Sequence, residues 1–299
     1  MHRYALEHRV SHADVDVLGE VKVTALLGLL EQAAVEASSN CGFDPAWYTA
    51  QQRVWIIRRT RLERTVPLGG SDRLRVATHV LDWRRARSLR EYTIERLTDD
   101  GAAVPAVHGT TDWVYCDLVS GRPVSVPENM RRAFSGSEEI TLPRARAIPE
   151  AGAGEPVVLP IVVRPSLLDH VTHVNNAAYA ALLEDGAFEL FAAAGWSVAR
   201  MLEQGGALRI ARIDIEYLDD AVAGDALLVK SWIVPAGADS ADTETSPVTH
   251  ALACDEPGTP RELRLLQTIT RVDGSRILRA ASDWVWRRRP AVLGGVPEA

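Results

Sequence analysis

The sequence predicts an α+β protein built as a tandem repeat, in which each copy is one central helix wrapped by an antiparallel sheet. Two observations predict it. First, the chain matches itself in one frame: at an offset of 153 residues Asp16 falls on Asp169, Leu29, Leu30 and Glu31 on Leu182, Leu183 and Glu184, Gly42 on Gly195, and Arg59 on Arg212. The frame holds through Glu63 on Glu216, Leu74 on Leu227 and Val76 on Val229. It resumes where Asp112-Trp113-Val114 matches Asp283-Trp284-Val285 at an offset of 171, so the second copy carries an insertion. Second, each copy runs through the same order of patterns: a polar turn with an aspartate, a helical period, then alternating strands.

In the first copy, Leu26, Leu29, Leu30, Ala33 and Ala37 recur at helical spacing after the Asp16 turn; in the second, Tyr179, Leu182, Leu183, Ala187 and Leu190 do so after Asp169. Each helix is expected to stop at a glycine, Gly42 or Gly195. Ala33, Ala34, Gly186 and Ala187 are small enough to let a sheet come close. The residues that follow alternate as strands do, for instance 73–81, 90–97 and 225–234, with turns at Gly69-Gly70, Asp99-Asp100-Gly101 and Asp273-Gly274. Four or five antiparallel strands per copy are expected. The domains are read as 1–134 (first copy), 135–157 (linker), 158–290 (second copy) and 291–299 (tail), with a polar Ala, Asp, Ser, Thr and Pro-rich insertion near 236–261 expected as a surface loop.

The 299 residues suffice for two domains that each bury a core. With 46% hydrophobic and 24% charged residues the composition is that of a soluble protein. Cys41, Cys116 and Cys254 have neither metal-ligand nor redox spacing, which points to a reducing compartment. The first residues lack the apolar run of a secretory signal, and no segment has the length of a membrane span, so a cytoplasmic location with no membrane partner is expected. A net charge of −7 argues against nucleic acid as a partner. Twelve arginines against five acids between Arg53 and Arg96 form a local excess that fits either an acidic or phosphate-bearing partner or a set of solvated strand faces.

The chemistry-bearing run is Asp169-His170-Val171-Thr172-His173-Val174-Asn175-Asn176, ending on Tyr179. It places a carboxylate and an imidazole just before a helix whose first N–H groups and positive dipole end can receive a developing oxyanion. The first copy keeps Asp16 but has Glu20 in place of His173 and Lys22-Val23 in place of Asn175-Asn176, so one working site in the second copy is expected. Asn175 and Asn176 fit two roles, as helix caps and as substrate contacts. Asp169 also fits a plain turn residue. Asp169, His170 and His173 are too few and too closely spaced for a metal site. Gly195-Trp196-Ser197 mimics a nucleophile elbow but follows the end of a helix, and no phosphate or dinucleotide loop is present, so no cofactor is implied.

The Asp-x-x-x-His-Val-Asn-Asn-x-x-Tyr run, the duplication and the Trp113-Val114 strand leading to Gly121-Arg122-Pro123 together resemble the acyl-ACP thioesterases of plants and bacteria. These are double hotdog proteins of the wider group that includes 4-hydroxybenzoyl-CoA thioesterase. The likeness runs from about Tyr4 to Trp286. It implies a working site in the second half and an acyl pocket shaped by the first. The family pattern Asp-x-Asn-x-His maps onto Asp169, Val171 and His173, and Glu-Tyr-x-x-Glu-Cys onto Glu216, Tyr217, Asp220 and Ala221. Valine therefore replaces the family's asparagine, aspartate its second carboxylate, and alanine its cysteine, which excludes a thiol nucleophile at that position.

Thioester hydrolysis needs a base or nucleophile at the carbonyl, donors for the oxyanion and little help for the thiolate. Asp169 is expected as the carboxylate, with His173 binding the carbonyl or water and Asp220 holding the imidazole. A solvated turn is the other reading of Asp220. Trp47, Trp55 and Trp83 are candidate pocket walls, Trp55 foremost, or ordinary core. The expected substrate is a fatty or polyketide-like acyl thioester on acyl carrier protein, with acyl-CoA hydrolysis or acyl binding without hydrolysis as alternatives. The duplication already reproduces a dimer, so a monomer or a homodimer is expected.

Overall fold

The computed structural model describes residues 3–134, 147–169, 171–234 and 263–288. The first half runs β1 (Tyr4–Arg9), α1 (Val23–Asn40), α2 (Pro45–Ala50), β2 (Arg53–Arg64), β3 (Arg73–Trp83), β4 (Arg87–Leu97), β5 (Ala103–Asp117) and α3 (Glu128–Ala133). The second runs β6 (Val157–Val162), α4 (Asn176–Ala193), α5 (Val198–Glu203), β7 (Gly206–Tyr217), β8 (Ala226–Val234), β9 (Leu263–Arg271) and β10 (Arg276–Arg288). Each copy thus has five strands and one long helix of 18 residues. Strand β6 begins on the last residue of the expected linker. The polar insertion and the tail lie outside the described residues.

All ten strands join one antiparallel sheet in the order β1-β3-β4-β5-β2-β7-β10-β9-β8-β6. The seam between the halves is β2 against β7, where Arg59 pairs with Glu216, Arg61 with Asp214 and Glu63 with Arg212. The 153-residue register turns that ladder into itself, so the repeat is related by a two-fold axis through the Arg61–Asp214 pair. Charge pairs tie the seam: Arg59 reaches Asp214 at 2.7 Å and Arg212 reaches Glu63 at 3.0 Å. The Asp-Trp-Val match also has a structural meaning. In both copies the ladder slips by one residue at that pair, between Ile57 and Arg59 opposite Asp112 and Trp113, and at Asp283 and Trp284 opposite Arg212 and Ile210. A bulge sharpens local twist, and here it bends each half-sheet around its helix.

The two helices pack on each other and on the sheet's inner face. Helix α1 buries Leu26, Leu30, Ala33 and Ala37, and α4 buries Tyr179, Leu183, Gly186 and Ala187. Each helix ends in a residue of positive φ two positions past its last helical residue, Gly42 at 86° and Gly195 at 85°. The close approach expected at Gly186 is real: a Cβ there would stand 2.5 Å from Val229 Cγ1. The inward series of β3 (Leu74, Val76) and of β8 (Leu227, Val229) completes one continuous core. A smaller, separate cluster in the first half gathers Phe43, Tyr115, Met130 and Phe134. Among the described residues no helix is long and apolar enough to cross a membrane.

Candidate active site

Asp169 first builds the turn it sits in. Its Oδ1 accepts the N–H groups of Val171 at 2.9 Å and His173 at 3.3 Å, while its own N–H donates to His173 O at 2.8 Å. Thr172 is thereby held at φ 68°, a conformation a β-branched residue adopts only when its surroundings enforce it. Asp16 makes the same turn: Oδ1 accepts from Leu18 at 2.7 Å and Glu20 at 3.2 Å, with Gly19 at φ 79°. The aspartate is therefore structural in both copies, and any further role rests on what surrounds it.

In the second copy the turn carries His173 on an isolated bridge to Val222, beside the β7–β8 connection. Its Nδ1 stands 3.4 Å from Asp220 Oδ2, both groups partly open to solvent. Arg271 fastens that connection by donating to Asp219 at 2.8 Å, to Asp225 at 3.0 Å and to the backbone carbonyl of Asp220. Ala221, at the position of the family's cysteine, is buried, and its N–H donates to Tyr179 Oη at 3.1 Å.

Asn175 caps α4: its Oδ1 accepts the Ala177 N–H at 2.8 Å and its carbonyl takes Ala178 N–H at 2.9 Å. The side-chain oxygen of Asn175 is thus committed to the helix. Asn176 opens α4 and lines a small recess with Glu31, Tyr92 and Tyr217, and its carbonyl accepts the Tyr217 hydroxyl at 3.2 Å. Burial, and then the carboxylate of Glu31, push the Tyr217 hydroxyl far above its ordinary pKa, so it remains a donor. His170 lies outside the described residues. Among the described residues no three His, Cys, Asp or Glu side chains cluster as metal ligands do.

A cleft of about 450 Å³ leads from this turn into the first half. Val171 forms part of one wall with Glu31 and Val35 of α1, and Phe43, Trp55, Trp83 and Phe134 form others. Valine at 171 therefore carries the apolar lining up to the Asp169 turn. Trp55 is fixed in the wall by an Nε1–H bond to Tyr48 Oη at 3.0 Å and by Tyr115, 4.9 Å away between ring centres. Trp83 shares the lining, whereas Trp47 packs edge-on against Phe43 at 5.0 Å outside it. Sequence reasoning missed Glu31, although its register with Glu184 was visible.

The first copy's equivalent site is filled with charge. Glu20 and Arg64 form a buried pair at 3.0 Å, and Arg209 Nε approaches Asp16 Oδ2 to 2.6 Å, across the seam between halves. The second approach is misaligned for a hydrogen bond and acts as a charge contact. Burial raises the Glu184 carboxyl to about 7, against the pull of Arg209 and Arg64. Around the second copy's turn the same register puts Tyr217 in place of Arg64, His173 in place of Glu20 and, from the first half, Ile56 in place of Arg209. The first site has thus become an internal ion cluster.

Residues 2–134 match the acyl-ACP thioesterase N-terminal domain, and residues 163–255 match the thioesterase-like superfamily. A comparison with curated protein sequences finds no match. Among solved structures, a putative oleoyl thioesterase from Lactobacillus plantarum superposes with a TM-score of 0.74 at 18% identity, over 97% of this chain and 96% of that one. The 12:0-ACP thioesterase from Umbellularia californica gives 0.68 at 14% identity, over 95% and 94%. An acyl-ACP thioesterase from Bacteroides thetaiotaomicron gives 0.65 at 16%, over 95% and 98%. At such identities the likeness establishes the fold, a double hotdog.

Proposed function

We propose that this chain, whose residues 2–134 match the acyl-ACP thioesterase N-terminal domain and whose residues 163–255 match the thioesterase-like superfamily, is a thioester hydrolase that cleaves fatty or polyketide-like acyl groups from acyl carrier protein at Asp169. The observation that carries the reading is the cleft that begins at Val171 and ends among the aromatic side chains of the first half. It gives the acyl chain a largely apolar wall to lie against and leaves the thioester at the turn.

In this mechanism Asp169, oriented by its two turn amides, takes a proton from water as the water oxygen bonds to the thioester carbon. The oxyanion is received at the start of α4, where Ala177 and Ala178 N–H are already used and the Asn176 N–H is left for a ligand. His173, backed by Asp220, holds the carbonyl or the water. Collapse breaks the C–S bond, the thiolate leaves, and the proton held on Asp169 returns to it. Because Ala221 offers no thiol, hydrolysis proceeds without a cysteine adduct.

The match of the N-terminal domain supports acyl carrier protein as the carrier, and Arg84 and Arg87 at the β3–β4 turn, each paired with an acid (Asp82, Asp112) yet open to solvent, suit an acidic partner. A cytoplasmic enzyme working as one chain fits this role, since the fused halves already form the paired unit. Steady-state kinetics on matched acyl-ACP and acyl-CoA test the reading. A kcat/KM at least about tenfold higher for acyl-ACP supports it, and preference for acyl-CoA would move the assignment to that carrier.

A further inference from the structure

Most arginines of the basic 53–96 segment prove to be ion-paired: Arg53 with Asp117, Arg59 and Arg61 with Asp214, Arg64 with Glu20, Arg75 with Glu95, Arg87 with Asp112. Arg90 is different. It lies on the inward face of β4 with Ser88, Tyr92 and Ile94, is 7% exposed, and lines the deep part of the cleft. Among the described residues no ion pair involves it. Among the described residues its guanidinium makes one hydrogen bond, from Nη1 to Thr78 Oγ1 at a long 3.4 Å, and lies 5.3 Å from the centre of the Phe134 ring. A guanidinium has five N–H donors, and an unpaired buried charge is costly to keep.

The same region has a second surplus donor. The indole Nε1 of Trp83 is buried with no acceptor among the described residues. The neighbouring polar groups are already engaged: Tyr48 Oη with Trp55 and Ser38, and Tyr92 Oη with Trp113. The far end of the cleft is therefore aromatic in shape but rich in donors, which a plain hydrocarbon tail would leave unsatisfied.

We propose that the acyl group carries an oxygen acceptor at the end remote from the thioester, and that Arg90 receives it. The substrate class is then an oxygenated acyl thioester, with a distal carboxylate, keto or hydroxyl group. This rests on the thioesterase reading for its reaction, but not for its binding step. A carboxylate would be met by a bidentate pair, a keto or hydroxyl oxygen by single charge-assisted bonds.

The test uses acyl thioesters of equal chain length that end in methyl, hydroxyl, keto or carboxylate, with the wild-type protein and Arg90→Met, which keeps an unbranched stem and removes the charge and the donors. Wild type should favour at least one oxygenated chain over the methyl-ended one by about tenfold or more in kcat/KM, the scale of a hydrogen bond to a charged group. Arg90→Met should bring the ratio to within about twofold of unity by losing the oxygenated chain alone. The carboxylate arm against the neutral arms tells which oxygen is preferred. In parallel, binding of the corresponding free acids to wild type is followed through tryptophan emission, since Trp55 and Trp83 form the wall. That readout needs no turnover. Preferential binding of the oxygenated acids by wild type, lost in Arg90→Met and without hydrolysis, would uphold Arg90 and sink the catalytic reading. Equal binding of oxygenated and methyl-ended acids by wild type, or a preference untouched in a folded Arg90→Met, would overturn the proposal.

Discussion

Replacing Asp16 and Asp169 by asparagine, one at a time, should separate stability from catalysis. Asparagine keeps an Oδ1 acceptor, so both turns can retain their bonds to the residues two and four positions on. The lost charge matters differently. At Asp16 it removes the carboxylate 2.6 Å from the Nε of Arg209, whose side chain is 5% exposed, and leaves Glu184 as the acid that faces it. Removing one partner of a buried pair costs about 3–5 kcal/mol. For a chain of this size that lowers Tm by roughly 5–15 °C. Its kcat should stay within about threefold, because no catalytic imidazole stands in that copy. At Asp169 the opposite holds: Tm should move by only a few degrees, while kcat falls by two orders of magnitude or more, at least about 2.7 kcal/mol in barrier height. Thermal melting followed by circular dichroism and single-turnover hydrolysis decide the matter. Comparable losses of kcat from both substitutions in folded proteins would refute a single second-half site.

His173→Ala should also lower kcat by about two orders of magnitude, whereas Asp220→Asn, acting through the imidazole, should lower it by about tenfold with KM unchanged; steady-state kinetics check both. Charge reversal at Arg84, Arg85 and Arg87 should raise KM for acyl-ACP and weaken its salt dependence, with hydrolysis of a small acyl-pantetheine unchanged. Gly186→Ala should destabilise the fold by about 1–3 kcal/mol despite better helix propensity, because the new Cβ meets Val229 at 2.5 Å, as denaturant midpoints will report. Glu184 has a folded-state pKa raised to about 7 from an ordinary 4.5, so the folded state binds the extra proton. Its contribution to stability is therefore full below about 4.5 and lost as pH rises through about 7, and Glu184→Gln should flatten the denaturation midpoint across that window.

The repeat, the two helices with their glycine ends and the second-half turn were legible because they rest on local chemistry: periodicity, an aspartate that closes its own turn, an asparagine that caps. The Asp-Trp pair was legible as a match but not as a bulge, since a bulge is a relation between two strands. What stayed hidden depends on the seam. Asp16 looked idle in sequence because its partner Arg209 arrives from β7 of the other half. Glu31 was in register with Glu184, yet only the packing of α1 beside the second-half turn brings it to Asn176 and Tyr217. Arg90 disappeared among its neighbours in a basic segment, although its alternation with Tyr92 and Ile94 placed it on the inner face of β4. Trp55 and Trp47 are similar in sequence terms, and only the course of β2 puts the first in the cleft and leaves the second behind it.

Hydrolysis at the Asp169 turn with the acyl chain in the first-half cleft can be tested by direct observation of a bound acyl group. The most direct measurement is a crystal structure of the Asp169→Asn protein soaked with a non-hydrolysable acyl-pantetheine amide. The amide carbonyl is expected beside residue 169, His173 and the Asn176 N–H, with the chain running past Val171 and Trp55. Density for the chain at Glu20 and Arg64, or with its carbonyl remote from His173, would contradict it.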